Sequence, residues 1–217
     1  TPLYSSAASD VYKRQCWTSP LSQAQEQVTR FAYNILNSYP HNINSFTQGL
    51  VYHEGYLFEG TGKNGQSSLS KISLEDGEVL MSKSMSQRYF GEGIEIVDDK
   101  IYQLTWQSHI VFVHDKETFE SIESHYNATQ GWGLAYDGSH LILSDGTATL
   151  QFIDPRTFVP VRKIEVSLAG NAISQLNELE YINGEVWANV WQTDFILRID
   201  PILSLIHISE PTRRRGI

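Results

Sequence analysis

Residues 90–106 read FGEGIEIVDDKIYQLTW, and the layout of this stretch decides the fold. It opens with a carboxylate between two glycines, Gly91-Glu92-Gly93, runs into an alternating apolar segment, turns at acidic residues, alternates again and closes on Trp106. Alternation with a period of two marks half-buried strands, so the stretch reads as a hairpin. TQGLVYHEGYLFEG, GWGLAYDGSHLILS and NELEYINGEVWANV share its plan, and aligning Leu50, Ile94, Leu134 and Leu179 spaces the copies by 44, 40 and 45 residues. Asp137-Gly138 and Asn183-Gly184 are the residue pairs that supply the positive φ of tight strand reversals.

Each copy continues into a third alternating run: 69–73, 110–115, 150–154 and 195–200. A fourth run is visible in three copies, at 79–85, 119–125 and 159–166. Four short strands in each period of ~40–45 residues is the signature of a β-propeller blade. Helical solenoids have similar periods but not this alternation or this density of β-branched and aromatic residues. The fold class is therefore all-β, a propeller of about four blades. The last copy is expected to stop after its third strand at Asp200, leaving that blade incomplete. Val28–Leu36 reads as a strand at the outer edge of a final blade. An open ring leaves unpaired strand edges, which predicts a marginal fold.

The ends differ from the body. Residues 1–15 and 204–217 share none of its pattern and resemble translated sequencing-library adapter or disordered tails; residues 16–27 read as a linker, and 28–203 as the propeller domain. The net charge of −9 argues against a phosphate-backbone partner, and the basic cluster Arg213-Arg214-Arg215 lies in the terminal segment 204–217, so no nucleic-acid partner is expected. No apolar run approaches the ~20 residues of a membrane span. A single cysteine, Cys16, allows neither an internal disulfide nor a cysteine-based zinc site. The seven histidines show no zinc-binding spacing. Asn127-Ala128-Thr129 is a formal glycosylation triplet.

In a propeller the first strand of each blade lines the central channel, so the residues just before each anchor face one opening. They are Phe46-Thr47-Gln48, Phe90-Gly91-Glu92, Gly131-Trp132-Gly133 and Asn177-Glu178, with Trp106 and Trp191 at neighbouring strand ends. Taken singly, each has a plainer reading: a strand tryptophan is ordinarily core, Glu92 can cap a turn, and Gln48 and Asn177 can be turn formers. Together they suit a small polar group held in an aromatic-walled pocket. Glutamates and aspartates outside these openings read as solvated face.

At these residues the chain resembles the plant and bacterial propeller glutaminyl-peptide cyclotransferases. The resemblance runs from about His41 to Pro201 and rests on FTQGLVY (46–52), RYFGEGI (88–94), YQLTW (102–106), GWGLAYDG (131–138), SDGTATLQFIDP (144–155) and LNELEYINGEVWANVWQTD (176–194). It implies a five-bladed propeller that converts N-terminal glutamine of peptides or proteins to pyroglutamate with release of ammonia. It implies no cofactor for catalysis, a monomer, and a secretory, extracellular or periplasmic setting. Carried over by motif, the pocket comprises Phe46, Gln48, Phe90, Glu92, Trp106, Trp132, Asn177 and Trp191, with Glu92 as acid and base. The family also draws an active-site lysine from its last blade, for which this chain shows no counterpart. Asn177 and Trp191 are expected to donate to a developing oxyanion, and Gln48 to orient the amine or a backbone carbonyl. The alternatives are a non-catalytic propeller that binds peptide N-termini, and a metal-dependent lactonase-like propeller, which needs several carboxylates converging on the channel.

Overall fold

The computed structural model describes residues 30–202 and the backbone of 206–209; expectations that fall on 1–29, 203–205 and 210–217 lie outside the described residues. Among them every regular element is a strand. After β1 (Arg30–Phe31), the first sheet comprises β2 (Thr47–His53), β3 (Tyr56–Thr61), β4 (Ser68–Ser73) and β5 (Val79–Ser84). The second comprises β6 (Gly91–Val97), β7 (Lys100–Thr105), β8 (Ile110–Asp115) and β9 (Ser121–Tyr126). The third comprises β10 (Leu134–Tyr136), β11 (Leu141–Ser144), β12 (Thr149–Asp154) and β13 (Val159–Glu165). A small hairpin, β14 (Ser167–Leu168) and β15 (Asn171–Ala172), leads into β16 (Leu176–Ile182), β17 (Glu185–Val190), β18 (Ile196–Ile199) and β19 (Ile206–Ser209).

The repeat is kept to the residue. Leu50 pairs with Glu59, Ile94 with Gln103, Leu134 with Leu143 and Leu179 with Ala188, a separation of nine residues in every copy. Asn183 and Gly184 both take positive φ, as the tight turn requires, whereas at the matching turn only Gly138 does. There the Asp137 carboxylate accepts from the backbone N–H of Ser139 and His140 at 2.8 and 2.6 Å, which closes the turn by another route.

Two expectations on the last sheet need correcting. A fourth strand, β19, pairs antiparallel with β18, and β1 adds to β19 in parallel, so the sheet runs β1-β19-β18-β17-β16. Residues 206–209 read IHIS, and an alternating β-branched segment of this kind pairs readily with an exposed strand edge. Of the described part of the strand read at Val28–Leu36, only Arg30–Phe31 is strand; it does lie at the outer edge of the last sheet.

The core consists of three apolar clusters, one at each contact between successive sheets. Alternation divides a strand between two of them: Leu141 and Leu143 pack towards the second sheet, and Ile142 between them packs towards the fourth. Each anchor residue packs against the sheet before it, with Ile94, Leu134 and Leu179 at 0, 1 and 2% exposure. Leu50, with no described sheet before it, is 36% exposed.

Candidate active site

Glycines let the inner strands approach one another closely. A Cβ on Gly49 would lie 2.4 Å from the Ile94 nitrogen, one on Gly93 2.6 Å from the Trp132 carbonyl oxygen, and one on Gly133 2.2 Å from the Asn177 carbonyl oxygen. These glycines each precede an anchor, so three successive seams close by the same contact. Side chains two residues before each anchor, Gln48, Glu92, Trp132 and Asn177, are thereby gathered at one end of the channel. The ladder shifts register between Thr47 and Gly49, between Gly91 and Ile94, and between Leu176 and Leu179. Gln48, Glu92 and Asn177 thus sit at bulges, the local irregularity that re-aims a side chain.

All eight residues singled out in the sequence line one cavity of about 360 Å³: Phe46, Gln48, Phe90, Glu92, Trp106, Trp132, Asn177 and Trp191. Its aromatic wall is built edge to face, with ring centroids 6.2 Å apart for Phe46–Phe90, 5.7 Å for Phe90–Trp106 and 5.6 Å for Trp132–Trp191. Room for these rings comes from glycine. A Cβ on Gly62 would collide with Phe90, and one on Gly146 with Trp132. Those glycines occupy the repeat position that carries Trp106 and Trp191 in the other two copies.

Glu92 is 5% exposed. Its Oε2 accepts from Gln48 Nε2 at 2.6 Å, across the seam between the first and second sheets. Burial pushes the carboxyl up to about 8, against a smaller downward pull from that hydrogen bond. Among the described residues, neither the Asn177 side-chain amide nor the Trp191 indole N–H has a hydrogen-bond partner, and both residues line the cavity. Asn177 is held through its backbone: Ser144 Oγ donates to its carbonyl at 2.6 Å and accepts from Gly133 N–H at 2.8 Å.

Two further residues belong to the site. Gln130 Oε1 accepts from both Trp106 Nε1 at 2.8 Å and Trp132 Nε1 at 3.0 Å, fixing two indoles with one oxygen. It occupies the repeat position of Phe46 and Phe90, four before the anchor, and that position is the signal that could have found it. Lys63 lines the cavity from the turn after β3, with Nζ 4.6 Å from the centroid of the Phe46 ring. No alternating run contains it, and it follows no repeat pattern.

Two glutamates read as solvated face are withdrawn from water instead, Glu59 buried and Glu95 half-buried. Glu59 is 3% exposed and accepts from His41, Ser45 and Thr47, tying down the segment that presents Phe46. Burial pushes Glu95 up to about 8, with the charge of Glu180 adding to it. The Glu178 carboxylate oxygens are also buried, and the group is raised well above the carboxylate range by burial, then by Glu180 and Glu95. More acids are therefore withdrawn from water than the sequence suggests. Among the described residues, no group of three or more His, Cys, Asp or Glu side chains is placed to hold a metal ion. Asn127 of the glycosylation triplet is buried and spends its amide on the Gln130 carbonyl and Thr129, which makes it a brace for the Gln130 turn.

A family model for glutamine cyclotransferase matches residues 8–207. The chain belongs to the glutamine cyclotransferase family. A glutaminyl-peptide cyclotransferase of Arabidopsis thaliana is 42% identical over 169 residues, covering 77% of this chain. The chain spans 53% of that relative's length. The crystal structure of Myxococcus xanthus glutaminyl cyclase superposes with a TM-score of 0.79 at 33% identity, over 86% of this chain and 79% of that one. A chain of a nidogen/laminin complex matches with a TM-score of 0.54 at 13% identity, over 81% of this chain and 84% of that one, a likeness of fold alone. Membership of the family agrees with the resemblance read from the motifs between His41 and Pro201, and the fold of the chain superposes on that of a solved glutaminyl cyclase.

Proposed function

We propose that the cavity binds the N-terminal glutamine of a peptide and closes it to pyroglutamate with loss of ammonia. The observation that carries this reading is a single buried carboxylate, Glu92, raised to about 8 among indoles. A peptide α-amine has a reference pKa of ~7.7–8.0, so a proton passes between it and Glu92 at little cost. The freed amine attacks its own side-chain amide carbon. That step is intramolecular, and the main task is holding the glutamine in an attacking conformer. The indoles fixed by Gln130 and the edge-to-face rings suit that task.

The proton balance is short. Ring closure takes one proton from the attacking nitrogen and delivers one to the departing nitrogen, which leaves as ammonia. Glu92 can do both in turn. The Asn177 amide and Trp191 indole N–H are free to donate to the tetrahedral oxyanion, a role typically worth ~3–4 kcal/mol per donor. Gln48 holds Glu92 through its amide nitrogen and keeps its carbonyl oxygen for the substrate amine. The expected substrates are peptides or proteins that begin with glutamine.

The test is ammonia release from a glutamine-initiated dipeptide in a coupled assay, with and without a chelator. Glu92→Gln should abolish release while peptide binding and the circular dichroism spectrum persist. Turnover that survived this substitution would remove Glu92 from the mechanism. Binding without ammonia release by the unmodified protein would favour the non-catalytic reading.

A further inference from the structure

Lys63 sits at the rim of the cavity, and its surroundings fix where its charge is presented. The residue adopts a left-handed backbone conformation with φ of 74°, and its carbonyl accepts from Gln66 N–H, Ser67 N–H and Ser67 Oγ, each at 2.9 Å. Gly62 before it leaves the space that the Phe90 ring fills. The side chain is exposed, and its ammonium rests 4.6 Å from the Phe46 ring centroid, a cation–π contact that keeps the charge against the aromatic wall. Among the described residues no carboxylate pairs with it. The cavity's other ionisable lining group is Glu92, buried inside.

Resting on the reading of this site as a glutaminyl-peptide pocket, we propose that Lys63 selects substrates carrying a carboxylate one residue beyond the glutamine. A volume of 360 Å³ lies near the lower end of the ~300–1,000 Å³ of small-ligand sites. It has room for one glutaminyl residue, with the amine at Glu92. The next residue lies one extended step out, ~3.3–3.6 Å further along the chain, at the rim where Lys63 waits. The carboxylate can be the side chain of Asp or Glu in second position, or the C-terminus of a dipeptide. Lys63 is a specificity determinant and takes no part in the proton transfers.

Four probes separate these sources: Gln-Glu-amide, Gln-Ala with a free C-terminus, neutral Gln-Ala-amide, and Ala-Ala-amide. Binding is read by quenching of the cavity tryptophans, which does not require turnover. Both carboxylate peptides should bind about two- to fivefold more tightly than Gln-Ala-amide, the range for an exposed ion pair. That advantage should shrink as salt is raised. Lys63→Met should erase it, and Lys63→Glu should invert it, each read as the ratio of carboxylate-peptide to Gln-Ala-amide affinity within the same protein. An equal affinity for charged and neutral glutamine peptides overturns the role of Lys63 alone. Failure of Gln-Ala-amide to outbind Ala-Ala-amide overturns the glutamine-pocket reading, and the Lys63 role with it.

Discussion

Gln48 and Glu92 come from different sheets, yet the amide of one lies 2.6 Å from the carboxylate of the other, inside a cavity walled by indoles and phenyl rings. Each occupies the same place in its own repeat, two residues before the anchor. The fold thereby sets a hydrogen-bond donor beside an acid that burial pushes up, and the donor pulls it part of the way back.

Removing that donor should raise the acid further. The hydrogen bond from Gln48 lowers the Glu92 pKa and burial raises it to about 8, so Gln48→Leu should move the titration above 8. The check is the pH profile of ammonia release, or a carboxyl titration followed by isotope-labelled NMR. The loss of thermal stability should be smaller below pH 5, where Glu92 is protonated in both proteins, than above pH 8, where the missing donor leaves a buried charge. A midpoint that stayed put or fell would show that the bond does not tune Glu92.

Stability should depend on pH through the same group. The folded protein holds the Glu92 proton up to about pH 8, whereas the unfolded chain releases it near 4.5. The native state therefore binds more protons in that window, and stability falls as pH rises from about 4.5 to about 8. Glu95, also raised to about 8 by burial, adds to the slope. Glu92→Gln should flatten it: no change in denaturation midpoint near pH 4, and stabilisation of the order of 1–3 kcal/mol near pH 8.5. Denaturant melts at the two pH values test this, and an equal effect at both would remove the linkage.

The repeat spacing made the blades legible, and with them the four positions that converge, because one alternating period recurs with a single hairpin register. Phe46, Glu92, Trp106 and Asn177 could be picked out for that reason. Gln130 was hidden by residue type: its repeat position holds Phe46 and Phe90 elsewhere, and an amide there does not resemble an aromatic wall until both indole N–H groups are seen to point at it. Lys63 lies in a turn, where periodicity carries no information. Alternation assigned Glu59 and Glu95 to a polar face. It does not distinguish a face turned to bulk water from one turned into a seam or a narrow channel, where a carboxylate is buried and must be hydrogen-bonded or protonated.

The repeat also offers an internal control for packing, because its equivalent anchors differ in what covers them. Ile94 is fully buried between the first and second sheets, in the cluster that includes Phe58, Leu69 and Phe119, whereas Leu50 is 36% exposed. Truncating a buried Ile to Ala removes both transfer free energy and the contacts of a filled cavity, typically ~2–5 kcal/mol. A half-exposed leucine has little cavity to leave, and its truncation should stay within ~1 kcal/mol. Ile94→Ala should therefore lower the denaturation midpoint strongly and Leu50→Ala barely, although the two residues share a register. Ile94→Val, which keeps the β-branch, should fall between them. A large loss from Leu50→Ala, matching that from Ile94→Ala, would mean that another surface covers the first sheet in solution, and that the cavity beside it, with Phe46 and Gln48 on its near wall, is bounded on that side as well.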